Sequence, residues 1–500
     1  MMPTTNDPSV PSTASPLVES SSCWQQGHLL ELDISDLSPN GDGVGRWGEQ
    51  QRIIFVPNTV PGDRVSVRLV RVRPRYAYGK LHQLIQASPH RIRPHCIVAD
   101  KCGGCQWQPV DYAYQLIAKQ DQVIQALARI SQFSSPVVDA VVAAPAPLGY
   151  RNKVTYPLGF NSTLQQVQAG YYRQGSHQLI NLNQCPVQDS HFDVFLANIK
   201  QDIQQRNWSI YTEENHRGQV RHLSLRIGRR TGEILLTLVI NDRPGSQPAD
   251  SLPDLNLQAQ AWLDQYPQLV GVCLNFNPDR TNRIFGTHTH CIAGQNHVKE
   301  IFAGLTFQLG PDTFFQVHTE QAEALLNLIL THLTLGGDEQ VVDVYCGIGA
   351  LTLPIAQRVK EIVGIEIQPA AIEQAEINAR LNQITNATFR VGAAQDCLTN
   401  LPFAPDVIIL DPPRKGCNPG VIEQLLALKP QQIAYVSCHP ATLARDLQLL
   451  CEAGCYRLSR VQPVDFFPQT SHVECVAFLT DNSDAHRLPK VDQLVDGACL

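Results

Sequence analysis

The chain has 500 residues, beyond the usual size of a single hydrophobic core, so two to four domains are expected. Hydrophobic residues make up 43% and charged residues 17%, which excludes a disordered or fibrous protein, and a net charge of −7 excludes a wholly basic nucleic-acid coat but allows a local basic patch. No apolar run approaches the ~18 residues of a membrane span, no targeting signal opens the chain, and the 15 cysteines read as reduced thiols of a cytoplasmic protein.

Residues 1–22, mostly Ser, Thr and Pro, predict a disordered tail. Over 23–88, β-type runs at Gly27–Ile34, Arg52–Val56, Arg64–Arg71 and Tyr78–Ile85 are separated by turn signals at Pro39–Gly43 and Pro61–Asp63. That spacing predicts a small OB-like β-barrel. Arg64, Arg68, Arg71, Arg73, Arg75, Lys80, Arg91 and Arg93 follow with no acid among them, and Tyr76 and Tyr78 are interleaved. Basic side chains with aromatics suit an RNA backbone and stacked bases; the plainer reading is a charged edge that blocks aggregation. Residues 89–310 hold a Cys-rich turn, a helix predicted at Tyr112–Ile130, and a mixed α/β insert whose clearest strand pair is Val220–Ile227 with Glu233–Ile240. From 311 to 480 strands and helices alternate, which predicts a doubly wound α/β domain. Residues 481–500 read as a loosely held tail.

Cys96, Cys102, Cys105 and Cys185 form C-x5-C-x2-C with a remote fourth Cys before Pro. Such a set can hold a [4Fe–4S] cluster or a structural zinc. Zinc knuckles favour paired short spacings, so the x5 interval favours iron–sulfur; a single Cys here could simply be a small buried hydrophobe.

In the α/β domain, the strand ending at Tyr345 leads through Cys346-Gly347-Ile348-Gly349 into a helix, and the next strand ends near Glu366. A Gly-x-Gly turn admits a nucleotide-like ligand, and the acid sits where such sheets grip ribose hydroxyls. The third glycine that packs a pyrophosphate is missing, which favours an adenosine cofactor without phosphates, S-adenosylmethionine. Later strands end in Asp411-Pro412-Pro413-Arg414 and Cys438-His439-Pro440. Parallel strands place Tyr345, Glu366, Asp411 and Cys438 on one carboxyl edge. A helix starting just after Cys438 is expected to lower its thiol pKa. A thiolate at such an edge suggests addition to C6 of a uracil, which makes C5 nucleophilic; a base must then remove the C5 proton, and Glu474 in His472-Val473-Glu474 is available.

At this point Asp411-Pro-Pro-Arg-Lys-Gly, Ser437-Cys438-x-Pro440-Ala-Thr-Leu-Ala-Arg-Asp, Phe467-Pro-Gln-Thr and His472-Val-Glu474 together resemble the class I RNA uracil-5-methyltransferases. The resemblance, over about residues 24–480, is to the branch with an N-terminal TRAM domain and a four-cysteine [4Fe–4S] cluster that acts on 23S ribosomal RNA. It implies Cys438 as nucleophile, Glu474 as base, and Gln316, Tyr345, Glu366 and Asp411 as contacts to the methyl donor. It also implies a TRAM identity for the barrel, cluster ligation by Cys96, Cys102, Cys105 and Cys185, and no obligate protein partner. Three positions depart from the pattern: His439 replaces an Asn, Ala350 replaces a cofactor-binding Asn of some members, and Gly392-Ala393-Ala394 lacks a polar side chain for adenine, leaving Gln395 or Asp396.

Alternatives are transfer RNA as the substrate, or an inactive RNA-binding protein; the presence of both Cys438 and Glu474 argues against the second. Exocyclic-amine methyltransferases share Asp-Pro-Pro but place an aromatic where Arg414 stands. Cytosine-5 enzymes use a Pro-Cys nucleophile motif absent after Asp411.

Overall fold

A computed structural model describes residues 24–482 apart from 132, 134, 135, 246–251, 334 and 453. The tail expected at 1–22 and nearly all of that expected at 481–500 lie outside the described residues. The chain divides after Arg91 into two compact units.

The first unit is a closed barrel of five strands, Leu29–Leu37, Gly43–Trp47, Arg52–Val56, Arg64–Val72 and Tyr76–Gln86. Alternation dictates it: Leu30, Leu32 and Ile34 of the first strand face inward to meet Ile54, Val56, Val65, Val67 and Ala77. Each such side chain contributes roughly 1.5–3 kcal/mol on burial. The second strand is not evident from sequence, because Gly43 and Gly45 read as turn residues. Their role is close packing: a Cβ would lie 2.0 Å from Thr59 Oγ1 at Gly43 and 1.9 Å from Leu32 Cδ1 at Gly45. Buried Asp63 ties the barrel's end, accepting from Val60 N at 2.7 Å and Ser88 N at 2.9 Å and pairing with Arg91 at 2.5 Å. Arg91 is thus engaged internally, and the free basic face is smaller than the sequence count suggests.

The second unit holds two seven-stranded sheets. In the first, the order is His288–Gly294, Leu269–Phe276, Ile234–Ile240, Val220–Ile227, Lys153–Asn161, Gln166–Tyr172 and Leu179–Asn181. The predicted pairing of Val220–Ile227 with the following run is present, antiparallel, with Ile234 opposite Ile227. All seven residues of Ile234–Ile240 are buried, as suits a strand covered on both faces. Helices His191–Gln205 and Leu255–Gln265 contribute Phe192, Phe195, Leu196 and Trp262 to this core.

The second sheet has the order Ala387–Val391, Glu361–Glu366, Gln340–Val344, Val407–Leu410, Gln432–Ser437, Glu474–Asp481 and Tyr456–Val464. The first five strands are parallel and the last two antiparallel to their neighbours. This is the doubly wound class I arrangement. Helix Tyr112–Ile130 forms where predicted, started by Asp111, whose side chain accepts from Tyr114 N. Its partners were not legible from sequence: Val123 and Leu127 join the core of this second sheet, with Leu443, Leu447 and Tyr435, rather than that of the first.

Candidate active site

Register brings the distant motifs together. Val344 lies opposite Ile365 and Leu410, so Tyr345, Glu366 and Asp411 follow at one edge. Ser437 lies opposite Cys475 on the antiparallel strand. One step further along, Cys438 and Glu474 stand side by side. Both were expected at the site, and the fold places them there from strands that run in opposite directions.

The turn after Gln340–Val344 is strained. Tyr345 is left-handed at φ 72°, a conformation rare for an aromatic residue and concentrated at functional sites. Its N–H and that of Cys346 both donate to Ile365 O, at 2.8 and 3.0 Å. Glu366 accepts from Gly347 N at 3.3 Å and Gln368 N at 2.9 Å, so this acid shapes the glycine turn as well as facing the edge. Gln316 stands apart, on a loop before helix Thr319–His332. Its carbonyl accepts from Asn152 Nδ2 at 2.9 Å, and Thr313 O accepts from Arg226. Phe315 in that loop is buried, whereas Phe314 is exposed. Of the two residues left open for adenine, Gln395 is half-buried with its carboxamide against Gly420, and Asp396 is exposed.

Two carboxyl groups, Asp411 and Glu474, act on the Cys438 thiol, and a third, Asp343, acts on Asp411. Burial, then Asp343, pushes Asp411 up to about 7. Burial, then Asp411, pushes Glu474 well above the carboxylate range. Asp343 is itself buried, accepts from Thr352 Oγ1 at 2.5 Å, and is pushed up to about 6 by burial. The Cys438 thiol is pushed up to about 11 by burial first and then by Glu474 and Asp411, with Arg414 opposing. The sequence expectation of a lowered thiol pKa is therefore corrected: desolvation and two acids outweigh the helix terminus. Asp343 was missed, although an acid inside the apolar run Val341-Val342-Asp343-Val344 is a signal that could have found it.

His439, the departure from the family pattern, has a local job. Its Nδ1 accepts from Thr442 N at 3.3 Å, capping helix Pro440–Glu452 as an Asn would. Two residues of the same motif act from behind. Buried Asp446 accepts from Tyr435 Oη at 2.6 Å and Cys417 N at 2.8 Å, and Arg445 reaches Lys415 O at 3.0 Å. They pin the loop that follows Asp411-Pro-Pro.

Cys96, Cys102, Cys105 and Cys185 line one cavity with Gln108, Arg151 and Tyr171. Gly104 N donates to Cys102 Sγ at 3.4 Å. Burial and neighbouring thiols push Cys105 up to about 12, and burial pushes Cys185 up to about 11. Among the described residues, no group of three or more His, Cys, Asp or Glu is arranged to hold a single metal ion. Four thiols lining one cavity, with an amide directed at one sulfur, are donors of the kind that either a zinc ion or an iron–sulfur cluster takes. On the barrel, Phe55, Tyr76 and Tyr78 form a partly exposed aromatic cluster with ring centroids 5.5–6.2 Å apart. Among the described residues, no helix is long and apolar enough to cross a membrane.

Comparison with known proteins agrees with this geometry. The tRNA (Uracil-5-)-methyltransferase family profile matches residues 295–482, and the TRAM domain profile matches 24–82. An RNA methyltransferase of Nostoc sp. (strain PCC 7120) is 62% identical over 92% of this chain and 97% of its own, and one of Synechocystis sp. (strain PCC 6803) is 51% identical over 91% and 96%. The crystal structure of Pyrococcus abyssi tRNA (uracil-54, C5)-methyltransferase in complex with S-adenosyl-L-homocysteine is similar with a TM-score of 0.71 and 27% identity, covering 90% of this chain and 99% of that one. With a thiol and an acid paired at the carboxyl edge of a class I sheet and a TRAM domain preceding them in the chain, the protein belongs to the S-adenosylmethionine-dependent RNA methyltransferases of the uracil-5 family.

Proposed function

We propose that the protein methylates C5 of one uridine in 23S ribosomal RNA through a covalent bond between Cys438 and C6. The single observation that carries this reading is the juxtaposition of Cys438 and Glu474 across antiparallel strands, at the edge where Tyr345, Glu366 and Asp411 face the donor. An amine methyltransferase needs neither the thiol nor its neighbouring acid.

The target atom is inside a stack in paired RNA, so the uridine must swing out to reach the edge. Cys438 adds to C6 as the thiolate, and the electron pair displaced onto C5 takes the methyl group from the donor's sulfonium, the C–S pair staying on sulfur as a neutral thioether. The Glu474 carboxylate then removes the C5 proton, and the C–H pair re-forms the double bond and expels the thiolate. The donor's sulfonium brings a positive charge to an edge lined by raised acids, and that charge favours ionisation of Cys438 and Glu474 alike. Exposed Ile367, directly after Glu366, offers an apolar face for adenine. Gln316 and Asp411 complete the donor set.

The same reading assigns the cavity of Cys96, Cys102, Cys105 and Cys185 to a [4Fe–4S] cluster. Cys96, Cys102, Cys105 and Cys185, which come from both ends of the segment 96–185, would hold it, and it would supply bracing rather than redox chemistry. Anaerobically purified protein is expected to be brown with broad visible absorption; colourless protein with one zinc would overturn the assignment.

Cys438→Ala is expected to abolish methylation and any RNA–protein adduct while leaving donor binding intact, measured by methyl transfer and calorimetry. Retained turnover would refute the nucleophile. Transfer RNA is the second reading, favoured by the substrate named for the Pyrococcus abyssi enzyme. Mapping 5-methyluridine in total RNA from cells with and without this protein separates the two.

A further inference from the structure

The connection between the last two strands of the methyltransferase sheet begins at Asp465 and ends on Glu474, which lies opposite Val464. Residues 465–471 are buried except for half-buried Phe467. Within them Gln469 is left-handed at φ 70°. A non-glycine residue keeps that conformation only where its surroundings over-determine it.

The hydrogen bonds of Gln469 run to one remote segment, while Gln321 Nε2 donates to Asp465 O at 3.0 Å from another side. Trp107 N donates to Gln469 O at 3.0 Å, Gln469 N donates to Gln115 Oε1 at 2.9 Å, and Gln115 Nε2 returns a bond to Gln469 Oε1 at 3.2 Å. One helical turn on, Lys119 Nζ donates to Asp465 Oδ1 at 2.5 Å and to Phe467 O at 3.0 Å, and the side chains of Lys119 and Asp465 are fully buried. Tyr150 Oη adds a bond to Pro468 O at 3.1 Å. A buried ion pair is often no more stabilising than apolar side chains of the same size, and its best-attested use is to fix one arrangement over others. Here the arrangement it fixes is the approach to Glu474. The hydrogen bonds of this clamp, from Gln115 and Lys119, run to this connection and not to the strand that ends at Ser437, although the same helix packs further along against Tyr435 and Leu443.

We propose that Gln115 and Lys119 are positioning residues for the base: they set where Glu474 sits relative to Cys438, and so govern removal of the C5 proton rather than methyl transfer. This rests on the reading of Glu474 as the proton acceptor. Neither residue belongs to a recognisable motif, and both are more than 340 residues from the acid they position.

The test is single turnover of the full-length protein on RNA carrying tritium at uridine C5, with a methyl-labelled donor. Two variants are compared: Lys119→Met combined with Asp465→Asn, which removes both charges together, and Gln115→Leu. If the double variant does not fold, Gln115→Leu carries the test. The expected result is tritium release slowed by about tenfold or more relative to methyl incorporation, with a methylated RNA–protein adduct accumulating and the donor KM unchanged. Equal slowing of both steps, or no slowing of either, would overturn the proposal. Glu474→Gln, run alongside, separates the layers: no adduct in that variant removes Glu474 from its role, whereas an adduct there with none in the clamp variants sinks the clamp alone.

Discussion

In the proposed reaction Cys438 has to lose a proton before it can attack, and its surroundings resist that loss. With the thiol pushed up to about 11 by burial, Glu474 and Asp411, the reactive fraction in the free enzyme grows as pH rises through the neutral and mildly alkaline range. The kcat/KM for RNA is therefore expected to climb with pH above 7, by up to about tenfold per unit, since it reports the free enzyme's ionisations. Arg414 is the cation that opposes the rise. Arg414→Gln should move the rate profile to higher pH, and an unshifted profile would assign Arg414 elsewhere. Glu474→Gln should stall after methyl transfer and leave a covalent adduct visible on a denaturing gel. Cys438 and Glu474 were legible as candidates because each sits in a motif with a chemical requirement, and register brings the two together. The thiol's ionisation was not, because it depends on Asp411 and Glu474 arriving from other strands, and local sequence reports only the helix that follows.

At the scale of elements, the loop after Asp411-Pro-Pro is held by tight packing. Gly416 is left-handed at φ 77°, and a Cβ there would lie 2.5 Å from Asp446 Oδ2 and 2.6 Å from Arg445 Nη2. Gly416→Ala should cost at least about 1 kcal/mol of stability from the backbone conformation alone, and should raise the donor KM as the loop shifts. Thermal unfolding and donor titration measure the two effects. Sequence pattern located four barrel strands, the pair Val220–Ile227 and Ile234–Ile240, the strands that lead to Tyr345, Glu366, Asp411 and Cys438, and the helix Tyr112–Ile130, but not the remaining strands of the insert such as Lys153–Asn161 and Leu269–Phe276. It missed the strand Gly43–Trp47, whose glycines serve packing, and it could not show that Tyr112–Ile130 crosses to the methyltransferase core. Periodicity says which face is buried, never against what.

At the scale of the whole molecule, the barrel of residues 24–91 keeps its own core, and its exposed arginines belong to a different unit from the one that carries the chemistry. Arg71, Arg73 and Arg75 are all exposed. Replacing the three with Gln should leave turnover at saturating RNA intact while flattening the dependence of log Kd on log salt, by about 0.7 for each single-strand phosphate that is no longer neutralised. Filter binding at several salt concentrations measures this, and an unchanged slope would mean that this face does not meet RNA. The barrel and the doubly wound sheet followed from the order of turn signals and from strand–helix alternation.

The strand that carries Glu474 is inserted between Gln432–Ser437 and Tyr456–Val464, both of which precede it in the chain. During synthesis, then, the thiol emerges from the ribosome before its acid. A polypeptide still short of residue 474 has the thiol of the proposed reaction without its acid, and its sheet lacks the strand that joins Tyr456–Val464 to the other five. On the proposed mechanism, the strand completed last is the one that lets the site release what it has bound.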